Sequence, residues 1–471
     1  MSAATAPSTP ADSAGEKLDF KKLLPVFVII LIDLLGMTII IPLMPLYATS
    51  FGADAFTIGL LGAAYPVMQF LGAPLLGRLS DRYGRKPILV ISQIGTLIGF
   101  LILGFAGALW VLFLSRLVDG LSGANISTAQ AVITDSTTAK TRTQGLGLLG
   151  AAFGLGFIIG PIIAFVALLV SGNNYHLPAF VAAAFSALSI ALTWFWLPET
   201  LPAERRGQAQ QKAAFSLGAL FGALAHPQVG LLLVLMFAQQ IAFGGFEQLL
   251  SLFTLSRLGL NASGNAVVFV FVGVIVVAVQ GGFIGPWSRR LGDRRLVYLG
   301  LLTLALGLVL TAVTPALPVP WYDKAALTTE LTVRGTDAAG HTNPAATGQV
   351  PIALPEDTQT GWLGLVWILA AMIPASIGGG ILQPAINSLI TKRVEPGEVG
   401  GMLGVSAALL SGANACAPLL GGALFQWWGS TAPFLAGGLG LAVLLAAAVV
   451  MIQPGREEQT QAGLARGAGA H

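Results

Sequence analysis

Twelve long apolar segments constrain this chain more than any other feature of its sequence. The 471 residues are 55% hydrophobic and only 10% charged, with a mean hydropathy of +0.79, whereas about 25% of the residues in an average soluble domain are charged. A bilayer core requires about 20 apolar residues per helix, so we expect an all-α integral membrane protein with twelve spans. The predicted centres of these spans are residues 35, 67, 96, 120, 157, 187, 242, 275, 305, 375, 412 and 441.

The basic residues fall mainly on one side of the predicted membrane. If the N-terminus is cytoplasmic, the inner loops and tails hold 20 of the 24 Lys and Arg residues, as the positive-inside rule requires. Arg257, Lys324 and Arg334 fall outside, and Arg116 lies within a span. We therefore expect both termini to be cytoplasmic, with a disordered tail over residues 1–22 and a second cytoplasmic tail over residues 453–471.

The spans divide six and six around a polar connection. Residues 198–228 predict a cytoplasmic linker between an N-terminal six-helix bundle over 23–197 and a C-terminal one over 229–452. Two weak internal repeats favour a duplicated frame. The segment 77–86 returns in degenerate form as 285–294, 208 residues later, and the sequence Gly160-Pro161 ends a Gly-rich span whose counterpart contains Pro418, 257 residues later.

The 49 residues by which these two offsets differ coincide with a polar loop insertion over 314–361. Within it, residues 326–333 and 349–354 are rich in Thr, Val and Leu around turn residues and predict either a small β-hairpin or disorder. The insertion is interpreted either as a tolerated loop or as a cap or partner site on the outer side.

Several classes of site are not indicated by the sequence. A single cysteine, Cys416, and four scattered histidines give neither a disulfide framework nor a metal-ligand spacing. The net charge of +3 is too small to indicate nucleic-acid binding. The spans contain no paired nucleophile and base and no phosphate-binding loop. We therefore expect no enzyme activity, no cofactor and no metal.

The densest group of charges in the apolar region lies between the second and third spans. Residues 77–86 read Gly-Arg-Leu-Ser-Asp-Arg-Tyr-Gly-Arg-Lys, and their four cations cannot lie in hydrocarbon, so they predict a short cytoplasmic turn. This segment resembles the Gly-x-Leu-x-Asp-Arg-x-Gly-Arg-Lys signature of the major facilitator superfamily at every defining position. The fourth span, with Arg116 and Gly120, resembles the second signature of that family, although Asp119 stands where glutamine is more usual.

Two further spans resemble particular branches of this family. Gly150, Gly154, Gly160 and Pro161 in the fifth span resemble the Gly-Pro motif of the antiporter branch, and residues 33–45 resemble the first span of tetracycline/proton antiporters and related drug exporters. The resemblance implies two pseudo-symmetric six-helix bundles that export a small amphipathic compound in exchange for protons by alternating access. Coupled or uncoupled transport of a sugar, lipid or other metabolite is the alternative.

The same resemblance assigns roles to the charged turn and the Gly-Pro motif. It implies that Gly77, Asp81 and Arg85, with Asp135, form a latch of the outward-facing state, although the cations alone also serve as anchors to anionic lipid. It implies that the Gly-Pro motif seals the two halves against leakage, whereas close helix packing is the alternative for its glycines. A monomer in a bacterial inner membrane, with no nucleic-acid partner, is expected.

Four ionisable residues lie well inside spans: Asp33, Arg116, Asp119 and Glu247. Each costs about 2.5–3.5 kcal/mol at a helix centre on insertion scales, which predicts an aqueous cavity or a partner for each. Asp33 lies about 14 Å into the first span and is a candidate proton carrier, with Arg116 and Glu247 as further coupling residues. A static pair of Asp33 with Arg116, or of Arg116 with Asp119, is the structural alternative, and membrane-interface anchoring is the alternative for Glu247.

Polar and aromatic residues at helical spacing give the candidate substrate cavity. Single polar residues in spans also make helix contacts, and both interpretations stay open. The candidates are Tyr65, Gln69, Asn125, Gln240, Phe243, Gln383 and Asn387.

Overall fold

The computed structural model describes residues 20–123, 125–137, 142–206, 217–227, 229–333, 350–394 and 399–452. Among them, twelve helical segments are long and apolar enough to cross a membrane, and each contains one of the twelve predicted centres. The described residues contain no β-strand. The predicted all-α membrane fold is therefore confirmed.

The first six spans are built from eight helices, since the fourth span is divided into α5 and α6 and a short α2 follows the first. These helices are α1 (Phe20–Ile40), α2 (Met44–Ser50), α3 (Ala55–Tyr83), α4 (Arg85–Gly104), α5 (Leu109–Ser122), α6 (Asn125–Asp135), α7 (Arg142–Ser171) and α8 (His176–Trp196). The helix α1 already includes residues 20–22 of the predicted tail, and residues 1–19 and 453–471 lie outside the described residues.

The second half repeats this plan with two additional helices, α9 in the connection between the halves and α14 in the insertion. Its helices are α9 (Leu217–Leu224), α10 (Gly230–Leu258), α11 (Ala262–Ala278), α12 (Ile284–Leu291), α13 (Asp293–Ala312), α14 (Lys324–Val333), α15 (Leu363–Arg393), α16 (Val399–Trp428) and α17 (Ala432–Met451). A π-helical turn, Val279–Phe283, joins α11 and α12 into one span.

The twelve spans together have two end faces, and we name each face after the long connection that lies there. The linker face carries the connection from α8 to α10, and the insert face carries the connection from α13 to α15. Gly84 and Gly292 make equivalent turns at the linker face, where each ends one helix and begins the next with φ of 110° and 78°. Glycine adopts such positive φ values without steric cost, which explains why both copies of the charged turn contain it.

The two halves contact each other from the insert face inward. The helix α3 packs against α16, and α7 packs against α11. A Cβ built on Gly422 of α16 would lie 2.6 Å from the carbonyl oxygen of Ala55 on α3, and one on Gly154 of α7 would lie 3.1 Å from Cγ2 of Val277 on α11. Glycine is required at Gly422 because backbone from the other half occupies the space of a side chain.

The halves separate towards the linker face. Cβ atoms built on Gly77 of α3 and Gly404 of α16 would meet nothing within 4 Å. The buried apolar residues agree with this picture, since one cluster joins Leu61 of the first half to Phe253 of the second, whereas a separate cluster around Leu89, towards the linker face, belongs to the first half. Among the described residues, the two halves are thus in contact at the insert face and separated at the linker face.

The predicted β-hairpin in the insertion is wrong for residues 326–333, which belong to the helix α14. The carboxylate of Asp323 accepts a hydrogen bond from the backbone N–H of Ala326 at 2.9 Å and thereby stabilises the first turn. Leu327 and Leu331, four residues apart, are both buried. The β-propensity of the threonines is overridden by this cap and by the packing of one helical face. Residue 349 lies outside the described residues, and residues 350–354 form no strand.

Candidate functional site

A small cavity lies between α1, α3, α4 and α5 in the first half. Three of the residues that line it carry ionisable groups: Asp33 from α1, Tyr65 from α3 and Asp119 from α5. The full lining is Asp33, Leu34, Met37, Tyr65, Thr96, Phe100 and Asp119. The predicted coupling residue Asp33 and the predicted substrate residue Tyr65 therefore share one site.

Arg116 forms an ion pair beside this cavity. Its Nη1 lies 3.3 Å from Oδ2 of Asp119, and both side chains are buried, at 8% and 3% exposure. Its guanidinium also lies 5.9 Å from the centre of the Phe100 ring. The pair with Asp119 is the one that the spacing on a single helix suggested, and it places the positive charge of Arg116 next to the cavity.

Gln69 contacts the cavity wall. Its Nε2 donates to the carbonyl of Gly123 at 2.8 Å and to Oη of Tyr65 at 3.3 Å. Gln69 thus makes the helix contact that was the alternative interpretation, and it orients Tyr65. Sequence reasoning missed Thr96 and Phe100, because a polar and an aromatic residue in an apolar span do not show which face of α4 they occupy.

The candidates in the second half do not line this cavity. Gln240 of α10 donates from Nε2 to Oδ1 of Asn414 on α16 at 2.7 Å. Phe243 lies against Gly379 of α15, where a Cβ would collide with its ring. Glu247 follows Phe243 by one helical turn on α10 and is half-buried.

Two more candidates, Gln383 and Asn387, are half-buried on α15. Asn125 is the first residue of α6, and its side chain lies outside the part of the chain that the structure describes. Asn414 was missed, although its amide in an otherwise apolar span was a detectable signal.

Three of the four proposed latch residues meet at the linker face within the first half, whereas a Cβ on the fourth, Gly77, would meet nothing within 4 Å. Arg85 donates from Nη1 to Oδ1 of Asp81 at 2.6 Å and to Oγ of Ser80 at 2.7 Å, and from Nε to Oδ2 of Asp135 at 2.9 Å. The sequence did not indicate Glu199, whose carboxylate accepts hydrogen bonds from the backbone N–H groups of Arg85 at 2.9 Å and Lys86 at 3.3 Å.

The second half carries the same cluster with the charges exchanged. Asp293, 208 residues after Arg85, accepts from Nζ of Lys392 at 2.5 Å. Lys392 lies 257 residues after Asp135, so both repeat offsets place the pair in register. Ser288 and Ser388 also donate to the carboxylate of Asp293, each at 2.5 Å. A cation between carboxylates in one half thus corresponds to a carboxylate that binds a cation in the other.

The four residues of the Gly-Pro motif occupy different environments along α7. Gly154 lies at the contact with α11 of the second half, whereas Gly160 meets Thr38 of α1 in its own half, and a Cβ on Gly150 would meet nothing within 4 Å. Pro161 lies inside a continuous helix. Close packing across the interface therefore involves Gly154, and close packing within the first half involves Gly160.

Comparison with known proteins gives a consistent family. The model for the Major Facilitator Superfamily matches residues 26–366. The chain is 34% identical over 278 residues to the class B tetracycline resistance protein of Escherichia coli, which covers 58% of this chain and 68% of that protein. It is 29% identical over 285 residues to multidrug resistance protein 2 of Bacillus subtilis, which covers 59% of this chain and 70% of that protein.

A solved structure shows the same fold. The crystal structure of the human organic anion transporter MFSD10 matches with a TM-score of 0.62 at 22% identity and covers 93% of this chain and 100% of its own. The chain therefore shares its overall fold with that structure.

Proposed function

The chain belongs to the Major Facilitator Superfamily of membrane transporters, and from that premise we propose that it exports a small amphipathic, drug-like compound in exchange for protons. Relatives named for tetracycline and multidrug resistance support a drug-like cargo. The acidic cavity in the first half supports coupling to protons. Contact between the halves at one end face and separation at the other support alternating access.

Two carboxyl groups and one guanidinium in the same buried site carry the proposal of proton coupling. Asp33 and Asp119 line the cavity, and Arg116 compensates the charge of Asp119. Buried charges require compensation, so the three groups are neutral together when one carboxyl group binds a proton. We assign that proton to Asp33, and Arg116 acts electrostatically through its positive charge.

The cargo site extends from this cavity into the space between the halves. Tyr65 and Phe100 offer aromatic surface in the first half, and Gln240 with Asn414 offers amide groups in the second. Glu247 adds a carboxyl group on the same face of α10 as Gln240, seven residues earlier. Aromatic faces with carboxylates favour a lipophilic cation, and we propose that Glu247 recognises the positive charge of such a cargo.

We place the linker face in the cytoplasm of a bacterial cell and the insert face outside. The concentration of basic residues at the linker face supports this orientation. In this orientation both termini are cytoplasmic, and the structure corresponds to the inward-open state. We propose that the protein acts as a monomer, because each half contributes groups to the cargo site within one chain.

Transport in proteoliposomes tests the role of Asp33, with tetracycline as the probe. An imposed pH gradient is expected to drive tetracycline accumulation by the parent protein. The Asp33→Asn variant is expected to lose this dependence and still to bind tetracycline. Asp54→Asn is the matched control, since Asp54 caps α3 at the insert face by accepting from the N–H of Thr57 at 2.8 Å, and asparagine is an equally good cap.

The outcomes separate coupling from binding. Accumulation that follows the pH gradient in Asp33→Asn would remove Asp33 from the coupling role. Loss of tetracycline binding in the same variant would make Asp33 a cargo ligand instead. Loss of accumulation in Asp54→Asn would show that the assay reports general damage.

A further inference from the structure

The segment between α13 and α15 is anchored to the second half. The backbone N–H of Val319 donates to the carbonyl of Leu258 at 3.1 Å, and Nη2 of Arg257 donates to the carbonyl of Thr314 at 3.2 Å. Leu258 and Arg257 both lie in the last turn of α10. The ring of Tyr322 occupies the space beside Gly259, where a Cβ would collide with it. The start of this segment therefore moves with the second half.

The segment also has internal structure that fixes α14. The hydroxyl of Tyr322 donates to the carbonyl of Pro355 at 2.8 Å, and the carboxylate of Asp357 accepts from the backbone N–H of Lys324 at 3.1 Å. Burial, and then the carboxylates near it, raise the pKa of Tyr322 to about 12. The two described portions, before and after residues 334–349, are thus joined to each other by hydrogen bonds.

The helix α14 reaches across to the first half. It packs against α2, whose seven residues are all buried. Oε2 of Glu330 accepts from Nδ2 of Asn173, in the turn between α7 and α8, at 3.2 Å. The same oxygen accepts from Nδ2 of Asn261, the N-cap of α11, at 3.4 Å. One carboxylate oxygen thus bridges the two halves at the insert face.

We propose that the described residues 313–333 and 350–362 act as a clasp that stabilises the conformation closed at the insert face. The segment is fixed to α10 and contacts α2 and Asn173, so opening of this face requires Glu330 to separate from Asn173 and α14 to separate from α2. The clasp rests on the alternating access in the proposed function, but not on the cargo or on protons. The free energy of the clasp contacts contributes to the equilibrium between the conformations that are closed and open at the insert face. This contribution comes from the insertion and not from the twelve spans.

Distances between spin labels test the clasp directly. With Cys416→Ser as background, labels at Val170→Cys and Val313→Cys report the opening of the insert face. Val170 lies in the last turn of α7, Val313 directly follows α13, and these residues are 77% and 52% exposed. The Glu330→Ala variant is expected to raise the ratio of open to closed populations roughly tenfold, the change that loss of one charge-assisted hydrogen bond produces.

A matched control and a second variant complete the design. Glu356→Ala removes the same charge from the same segment, but Glu356 is exposed and pairs only with Lys324 among the described residues at 2.8 Å; its distance distribution should equal that of the parent. Asn173→Gly removes the contact from the side of the first half without straining the backbone, because Asn173 has a φ of 63° that glycine adopts readily, and it gives the test a second route if Glu330→Ala fails to fold. Unchanged distances in both Glu330→Ala and Asn173→Gly would overturn the clasp, as would an equal change in Glu356→Ala.

These measurements are independent of transport. If Asp33→Asn loses proton-driven accumulation and Glu330→Ala shifts the distances towards the open insert face, both proposals stand. If Glu330→Ala shifts the distances as expected but the parent protein transports nothing, the clasp proposal stands and the proposed function is refuted.

Discussion

The contact between Gly422 and Ala55 makes the closure of the insert face sensitive to a single methyl group. A Cβ at residue 422 would lie 2.6 Å from the Ala55 carbonyl oxygen, against the 3.4 Å at which ordinary van der Waals contact begins, and 3.0 Å from Cα of Gly59. All the atoms that it meets are backbone, which cannot rotate away. Gly422→Ala therefore requires α3 and α16 to move apart by a large part of an ångström.

The magnitude follows from the cost of overpacking. Inserting one carbon into a tight contact costs about 1–3 kcal/mol, which corresponds to a shift of roughly 5- to 150-fold in a two-state equilibrium. Alanine also favours a helix over glycine by up to about 1 kcal/mol. That gain cancels, because residue 422 is helical in both conformations, whereas the collision exists only while the insert face is closed.

The label pair at Val170 and Val313 measures this shift. We expect Gly422→Ala to move the distance distribution towards the open insert face and to lower tetracycline binding from the linker side. Gly440→Ala is the matched control, since Gly440 also lies in a helix, α17, and a Cβ there meets nothing within 4 Å. An unchanged distribution in Gly422→Ala, or an equal shift in Gly440→Ala, would refute the reasoning from steric contact.

Four further predictions concern charged and titratable groups. Glu247→Gln should weaken transport of a cationic cargo selectively, and an equal loss for neutral cargo would refute charge recognition. Glu199→Ala should lower the free energy of unfolding, measured by thermal denaturation, by about 1 kcal/mol, because two backbone N–H groups at the start of α4 lose their acceptor. Lys392→Met should lower the free energy of unfolding by about 1–2 kcal/mol, which is less than for a fully buried ion pair because Lys392 is 46% exposed. Adding Asp293→Asn to this variant should restore part of the lost stability. Ionisation of Tyr322, followed by ultraviolet absorbance, should occur near pH 12; its contribution to stability is complete below pH 10 and is lost as the pH rises towards 12.

The spans and the charged turn were predictable because their signals are local. A run of apolar residues is long enough to identify a span without knowledge of its neighbours. Asp81 and Arg85 are four residues apart on either side of Gly84, so their contact follows from the geometry of a helix end. The closeness of Asp33 and Tyr65 required only that α1 and α3 belong to the same half.

The remaining contacts depend on tertiary structure. Gln240 binds Asn414, 174 residues later, and no pattern in either span shows which residue faces which. Glu199 reaches the start of α4 across 114 residues, although it follows a span like many other polar residues. The hairpin prediction failed because the helical face formed by Leu327 and Leu331 is stabilised by burial at the insert face, which composition alone does not reveal.

Arg85 and Asp293 carry opposite charges at equivalent positions of the two halves, so the two helices that begin there complement the helix macrodipole differently. The N-terminus of a helix is positive and favours an anion. The helix α13 begins with Asp293 and contains its own anion, whereas α4 begins with Arg85 and uses the carboxylate of Glu199, which follows α8. The first half therefore depends on the start of the connection between the halves to complete α4, and the second half has no such need at α13. Cleavage of the chain beyond Arg206 would leave both helix ends satisfied, but a graft that replaces residues 197–206 would destabilise α4 alone.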